Sequence, residues 1–366
     1  MQKLPIRRAH LLIALAGAVV IAALGVAYWR LRTPPISAEK EAAIEHGREL
    51  YGRMCSVCHG EDGEGYKADR APMLANAEFL ASVSDSFLIK AIADGRQKTV
   101  MSAWAVERGG PLKKEDIQAL VTFMRTWESK PRVVLDESKL SSARVRRGEP
   151  VYARECKSCH GERGVGGPNI AIGNPELLSG ASNGFLRHAI RHGRPGTPMQ
   201  AFAGKLDNKT IDDLVLLLRT WEKPKPPPAP PVAKPAPLEL GPVPLNPKGP
   251  EPVGFQHHPK MTSVDVVHAA LEKKAKLAIL DARASSDYLR EHIEGSVSVP
   301  FYDAERYLPQ LPKDAWLVAY CSCPHAESGK LAKLLVDKGF KKVTVLDEGL
   351  GVWRRKGYPI STGEKP

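Results

Sequence analysis

The residues best suited to chemistry in this chain are Cys55-Ser-Val-Cys58-His59 and Cys156-Lys-Ser-Cys159-His160. In each, two thiols stand three positions apart on one turn of backbone and an imidazole follows directly. C-x-x-C-H is the spacing of a c-type haem attachment site. Each thiol can add to one vinyl group of the macrocycle, and the histidine is then held under the iron as proximal ligand. Both copies continue through glycines, Gly60 and Gly63 in one and Gly161 and Gly164 in the other, where backbone can pass close to the macrocycle. A zinc site or a disulfide pair would use the same residue types. The duplication inside matching frames favours haem, two in all, bound through Cys55, Cys58, Cys156 and Cys159 with His59 and His160 on the iron. Four of the six cysteines are used in this way, and Cys321 and Cys323 remain.

The elements around the motifs repeat as well. Glu39–Leu50 has helical spacing, with Ile44, Gly47, Leu50 and Tyr51 on one side, and leads into the first motif. Ile117, Leu120, Val121, Met124 and Trp127 recur at threes and fours and predict a second helix over Leu112–Trp127. Val145–Ala153 and Ile211–Trp221 take the same places around the second motif. The stretch Phe87 to Arg96 matches Phe185 to Arg194, and Arg-Thr-Trp-Glu closes both segments, at 125–128 and 219–222. A period near a hundred residues means tandem domains and not a solenoid. The alignment selects a sixth ligand. Met101 and Met199 share the offset of Gly95 and Gly193, and each precedes an aromatic by three positions, Trp104 or Phe202. A buried methionine is commonly core filling, but haems of this kind take Met/His ligation. His188 and His192 align with Lys90 and Asp94, which makes them helix-face residues.

The 366 residues suffice for two or three domains. Charge is uneven: residues 37–128 carry 12 basic and 15 acidic side chains, residues 129–222 carry 15 and 10. That contrast suits different docking faces for an electron donor and an acceptor. No dense basic patch with interleaved aromatics is present, which argues against nucleic acid. Leu11–Ala27 is an apolar run behind Lys3, Arg7 and Arg8, followed by Tyr28, Trp29 and Arg30. It reads as a membrane anchor, with a cleaved signal peptide as the rival; either implies export. Residues 223–252 hold 13 of the 31 prolines and predict a polyproline spacer that lets the last domain move.

Residues 253–366 alternate strand and helix. Leu277–Leu280, Ser296–Val299, Trp316–Tyr320 and Lys342–Leu346 read as buried strands. Ser263–Lys274, Ser285–His292, Glu327–Lys338 and Gly349–Arg355 read as helices. The pattern predicts a parallel sheet with helices on both faces. Tyr320 runs straight into Cys321-Ser-Cys-Pro-His-Ala-Glu-Ser328, which opens a helix. A thiolate placed there is stabilised by backbone amides and can carry sulfur as a persulfide.

Residues 37–222 resemble two class I cytochrome c domains in tandem. That resemblance implies two small all-α folds, each with a haem and a distal methionine on a loop. The first loop, Thr-Val-Met-Ser-Ala-Trp, lacks the proline that often follows the methionine in that family. Residues 253–366 resemble a single rhodanese module through Leu280-Asp281-Ala-Arg283, Asp287 to Ser296 and Leu346 to Pro359, with Cys321 in the nucleophile position. Its loop departs from the common form. It has no arginine for an anionic donor, and Cys323 adds a C-x-C pair that could close as a labile disulfide. Asp281, Arg283, Asp287 and His292 read as framework. The expected organisation is an anchor or signal segment (1–36), two cytochrome c domains (37–128 and 142–222), a linker (223–252) and an α/β rhodanese-like domain (253–366). The expected role is electron transfer at the periplasmic face of a bacterial inner membrane. Its redox partners would be of the type of a quinol-oxidising complex or terminal oxidase. The alternative is a sulfur enzyme in which Cys321 takes sulfane sulfur and the haems accept electrons.

Overall fold

The computed structural model describes residues 37–65, 70–96, 99–222, 238–322 and 325–366. The first repeat is helical: α1 (Ala38–Met54), α2 (Ser56–His59), α3 (Ala77–Ser82), α4 (Asp85–Asp94) and α5 (Lys114–Met124), with a closing 3-10 turn at Arg125–Trp127. Gly47 sets its geometry. A Cβ there would lie 2.1 Å from the carbonyl oxygen of Ala119, so α1 and α5 cross with their backbones in contact. Leu50, Tyr51 and Met54 pack against Ile117, Leu120, Phe123 and Met124 around that crossing. Asn76 and Ser84 cap α3 and α4 by accepting from the amides of Phe79 and Phe87.

The second repeat has the same plan: α6 (Val145–Glu155), α7 (Lys157–His160), α8 (Pro175–Gly180), α9 (Asn183–His192) and α10 (Asn208–Arg219). Gly148 stands where Gly47 does, its absent Cβ 2.5 Å from the oxygen of Asp213. Asn174, Ser182 and Asp207 supply the caps. The repeated Arg-Thr-Trp-Glu has a structural cause. Arg125 donates to the carbonyls of Leu80 at 2.8 Å and Val83 at 2.7 Å, tying α5 to the end of α3. Arg219 does the same to Leu178 and Ala181. Trp127 and Trp221 meet Tyr51 and Tyr152 edge-on. The repeats pack on each other through Phe87 and Phe185, ring centroids 5.4 Å apart, and through Asn76 Nδ2, which donates to the carbonyl of Pro195 at 2.7 Å.

The last domain contains β1 (Met261–Thr262), α11 (Val264–Glu272), β2 (Leu277–Asp281), α12 (Ser285–Arg290), β3 (His292–Ile293), β4 (Ser296–Ser298), β5 (Trp316–Tyr320), α13 (Ala326–Asp337), β6 (Val343–Leu346), α14 (Gly349–Arg355) and β7 (Ile360–Ser361). Five strands form a parallel sheet in the order β1-β6-β5-β2-β4, and β3 pairs antiparallel with β7. Every residue of β2 and β5 is buried, as expected of strands covered on both faces. The framework residues are satisfied inside it. Arg283 forks onto Asp281, whose Oδ2 also accepts from Tyr320 at 2.5 Å. His292 reaches the carbonyls of Tyr288 and Lys365 through its two ring nitrogens.

Two expectations change. Among the described residues no helix is long and apolar enough to cross a membrane, so the N-terminal transmembrane helix is withdrawn from the fold. The first described helix, α1, has 17 residues and carries charges from Glu39 to Arg53 along its length. The run Leu11–Ala27 lies outside the described residues. The last domain is also not held away from the haem repeats. Part of the proline-rich stretch lies along it, with Leu238 and Leu240 buried and the hydroxyl of Tyr307 donating to the carbonyl of Leu238. The domain itself packs on the first repeat. Its polar groups face polar backbone there, and hydrophobic patterning does not register such a match.

Candidate haem sites and the cysteine loop

α1 ends at Met54, directly before Cys55, and α2 brings Cys58 and His59 round on one turn. The hydroxyl of Tyr51 donates to the carbonyl of Gly60 at 2.8 Å, and the amide of Gly65 donates to the carbonyl of His59. In the second repeat Tyr152 and Gly161 make the same bond at 2.8 Å, and Gly166 and His160 repeat the other. The decisive contact is at the imidazole. His59 Nδ1 lies 3.0 Å from the carbonyl oxygen of Pro72, and His160 Nδ1 lies 3.0 Å from that of Ile170. A carbonyl only accepts, so Nδ1 carries the proton and Nε2 keeps its lone pair. That is the tautomer a metal ligand needs, and the bond fixes the ring plane. Burial lowers the pKa of both rings, so both are neutral.

Burial pushes the Cys55 thiol up to about 12. Burial, and then the charges of Glu155 and Cys159, push Cys156 to about 11. Among the described residues, Cys55, Cys58, Cys156 and Cys159 form no disulfide. Zinc requires thiolates, and among the described residues no three His, Cys, Asp or Glu side chains converge as a metal site. The thiol pairs and their neutral histidines fit covalent haem better than the rivals.

Met101 and Met199 occupy loops of one conformation. Gly95 and Gly193 both have φ 63°, and a Cβ on either would come within 2.5 Å of backbone seven positions on, at Ser102 and Gln200. The amide of Arg96 donates to the carbonyl of Met101 at 2.8 Å, as that of Arg194 does to Met199. Thr99 and Thr197 hydroxyls accept from the two methionine amides at 3.2 Å. Both side chains are half-buried against the core. His188 and His192 lie on α9 with rings 4.3 Å apart, and His188 bonds Glu78 of the first repeat.

The two loops differ in what covers them. Ser102, next to Met101, is buried, and its hydroxyl donates to Asp287 Oδ2 of α12 at 2.5 Å. Ser286 Oγ donates to the carbonyl of Ala103 and Ser285 Oγ to that of Gly109. Trp104 packs on Tyr302 at 5.5 Å. Gln200 and Ala201, the counterparts of Ser102 and Ala103, are exposed. The same domain sets α13 against α2, with Lys330 Nζ 3.5 Å from the carbonyl of Arg53. Ser285 and Ser286 lie in no motif, and sequence spacing carries no sign of the contact.

Cys321 directly follows β5, is buried, and lies with Sγ 3.2 Å from Ser328 Oγ in the first turn of α13. Glu327, next to Ser328 in the first turn of α13, is also buried. Burial, and then the charges of Cys321 and Asp287, hold its carboxyl well above the usual range. The Arg283 guanidinium is engaged by Asp281 and reaches the loop through Ser322 Oγ at 3.3 Å. Cys323 lies outside the described residues.

Comparison with known proteins agrees with this division. The family described as cytochrome c oxidase, cbb3-type, subunit III matches residues 42–124 and again 143–218, and the rhodanese-like domain family matches 263–356. The cbb3-type cytochrome c oxidase subunit CcoP of Azospirillum brasilense is 27% identical over 191 residues, covering 48% of this chain and 60% of its own length. Subunit FixP of Bradyrhizobium diazoefficiens is 28% identical over 185 residues, covering 48% and 59%. The chain thus spans about 60% of the length of the curated relatives it matches. A rhodanese-like domain from Anabaena, solved in solution, is 29% identical over 28% of this chain and 78% of its own, with a TM-score of 0.27. The cbb3-type cytochrome c family implies covalently bound haem c. The chain therefore joins cytochrome c domains of the cbb3 type to a C-terminal rhodanese-like domain.

Proposed function

We propose that this protein is a dihaem electron carrier with a sulfur-carrying module fixed to its first haem domain. One haem is bound through Cys55 and Cys58 with His59 as proximal ligand, the other through Cys156 and Cys159 with His160. Met101 and Met199 are the distal ligands. The observation that carries this reading is the repeated Nδ1-to-carbonyl bond, which prepares both imidazoles with a free Nε2. A haem closed by nitrogen and sulfur supplies reversible one-electron chemistry and leaves no position for substrate. The residues of the chain hold it, exclude water and set its ligands. The protein works outside the cytoplasm, between redox proteins such as a quinol-oxidising complex and a terminal oxidase. Cys321 is the nucleophile that takes sulfane sulfur as a persulfide, and its position on the first repeat favours sulfur chemistry as part of the function.

The test is a set of paired variants expressed with cytochrome maturation. Cys55→Ala/Cys58→Ala and Cys156→Ala/Cys159→Ala should each remove one haem from the reduced-minus-oxidised spectrum. Met101→Ala and Met199→Ala should each keep the haem but lose half of the sulfur-to-iron charge-transfer band. Retention of both haems in either double-cysteine variant would refute the assignment.

A further inference from the structure

We infer that the second repeat is the port through which this protein exchanges electrons with a redox protein of acidic surface, and that the rhodanese-like domain closes the matching face of the first repeat. The inference rests on the dihaem reading and names the partner surface within it. Cover and charge carry it independently.

Cover differs between two repeats of one plan. In the first, a single domain lies on both the C-x-x-C-H turn and the methionine loop. α13 packs on α2, with Lys330 Nζ 3.5 Å from the carbonyl of Arg53, while Asp287 and Ser286 hold the loop at Ser102 and Ala103. A partner approaching that face would have to displace buried hydrogen bonds. In the second repeat the turn and the loop also share a face, because Lys205, beyond Met199, pairs with Glu155, which directly precedes Cys156. That face is open. Lys157 and Ser158 of the turn and Gln200 and Ala201 of the loop are exposed, whereas their counterparts Ser56, Val57, Ser102 and Ala103 are buried or half-buried.

Charge at the matched positions reverses. Lys157, Arg163 and Lys205 stand where the first repeat has Ser56, Asp62 and Glu107, and all three cations are exposed. Arg154 adds a fourth. Against them stand two carboxylates: Glu155, which pairs with both Arg154 and Lys205, and Glu162, which pairs with Lys157. Four cations against two carboxylates leave the open face positive. Such a face steers an acidic partner into contact and repels a basic one.

The experiment uses the full-length haem-loaded protein and reduced plant-type ferredoxin, a small acidic one-electron donor. Each encounter oxidises the ferredoxin cluster by one electron and reduces one haem iron from ferric to ferrous, with no bond made or broken. Carbodiimide joins ferredoxin carboxylates to lysines in contact with them, and peptide mass spectrometry should place the cross-links at Lys157 and Lys205. In stopped flow at low ionic strength, Lys157→Gln/Arg163→Gln should slow haem reduction about 10-fold. The difference should vanish in about 0.5 M salt, where such charges are screened. Asp62→Asn/Glu107→Gln, the corresponding change on the first repeat, should leave the rate unchanged. Cross-links confined to the first repeat or to the rhodanese-like domain would overturn the port. So would equal rates for Lys157→Gln/Arg163→Gln and wild type at low salt, or a several-fold rise in Asp62→Asn/Glu107→Gln. Haem content is measured before ferredoxin is added; a wild type with fewer than two haems would refute the dihaem reading instead.

Discussion

Replacing Asp287 by alanine should release the Met101 loop from the rhodanese-like domain. The carboxylate accepts from Ser102 Oγ at 2.5 Å, and both residues are buried. A hydrogen bond to a charged group contributes about 1.5–3 kcal/mol, and a buried hydroxyl left without its acceptor adds about 1 kcal/mol. The Arg290 contact on the same carboxylate is half exposed and adds little. The expected loss is therefore about 2.5–4 kcal/mol, or about 60- to 700-fold in the equilibrium for opening this contact at 1.4 kcal/mol per tenfold. Hydrogen exchange followed by mass spectrometry reads it directly. Amides from Ser102 to Ala105 should exchange faster by that factor. Those from Gln200 to Ala203, in the uncovered loop of the second repeat, serve as the control and should not change. Equal exchange of both loops in the wild type, or an unchanged first loop in Asp287→Ala, would refute the reasoning.

Further outcomes follow from the same geometry. Arg125→Ala should cost about 2–4 kcal/mol, because two buried carbonyls lose a charged donor. Arg125→Lys should recover less than half of this, because lysine cannot fork; urea denaturation followed by circular dichroism measures both. Glu327→Gln should change stability at pH 5 by less than about 1 kcal/mol, since the acid it replaces is already neutral. The raised pKa also fixes a sign. The unfolded chain ionises this carboxyl near its ordinary value of about 4.3 and the folded protein only higher, so the wild type loses stability as pH rises through that window. Glu327→Gln should lack this part of the slope, and parallel pH profiles for the two proteins would contradict it. Gly148→Ala should destabilise the second repeat more than an ordinary helical Gly→Ala change could stabilise it, because the new Cβ meets the Asp213 carbonyl at 2.5 Å; thermal melts decide the sign.

What could be read from sequence was what repeats or alternates. Phe87 to Arg96 against Phe185 to Arg194 carried the tandem domains, and the matched loops at Met101 and Met199 show the same hydrogen bonds. The apolar runs at Leu277 and Trp316 gave the central strands, because strands covered on both faces need no polar positions. The Arg-Thr-Trp-Glu repeat was visible, but its cause was not, since the carbonyls that Arg125 and Arg219 serve lie about forty positions away. The contact of Ser102, Ser285, Ser286 and Asp287 left no trace, because isolated serines next to polar backbone have neither period nor motif. The apolar run near the N-terminus led toward a spanning helix, and composition alone could not decide the matter.

The count of covalent haems tests the central claim most directly. The intact mass of the full chain, purified from a host competent in cytochrome maturation, should exceed the polypeptide by two haem groups. Digestion should place one on the peptide with Cys55 and Cys58 and one on the peptide with Cys156 and Cys159. A mass showing one haem or none would contradict the account.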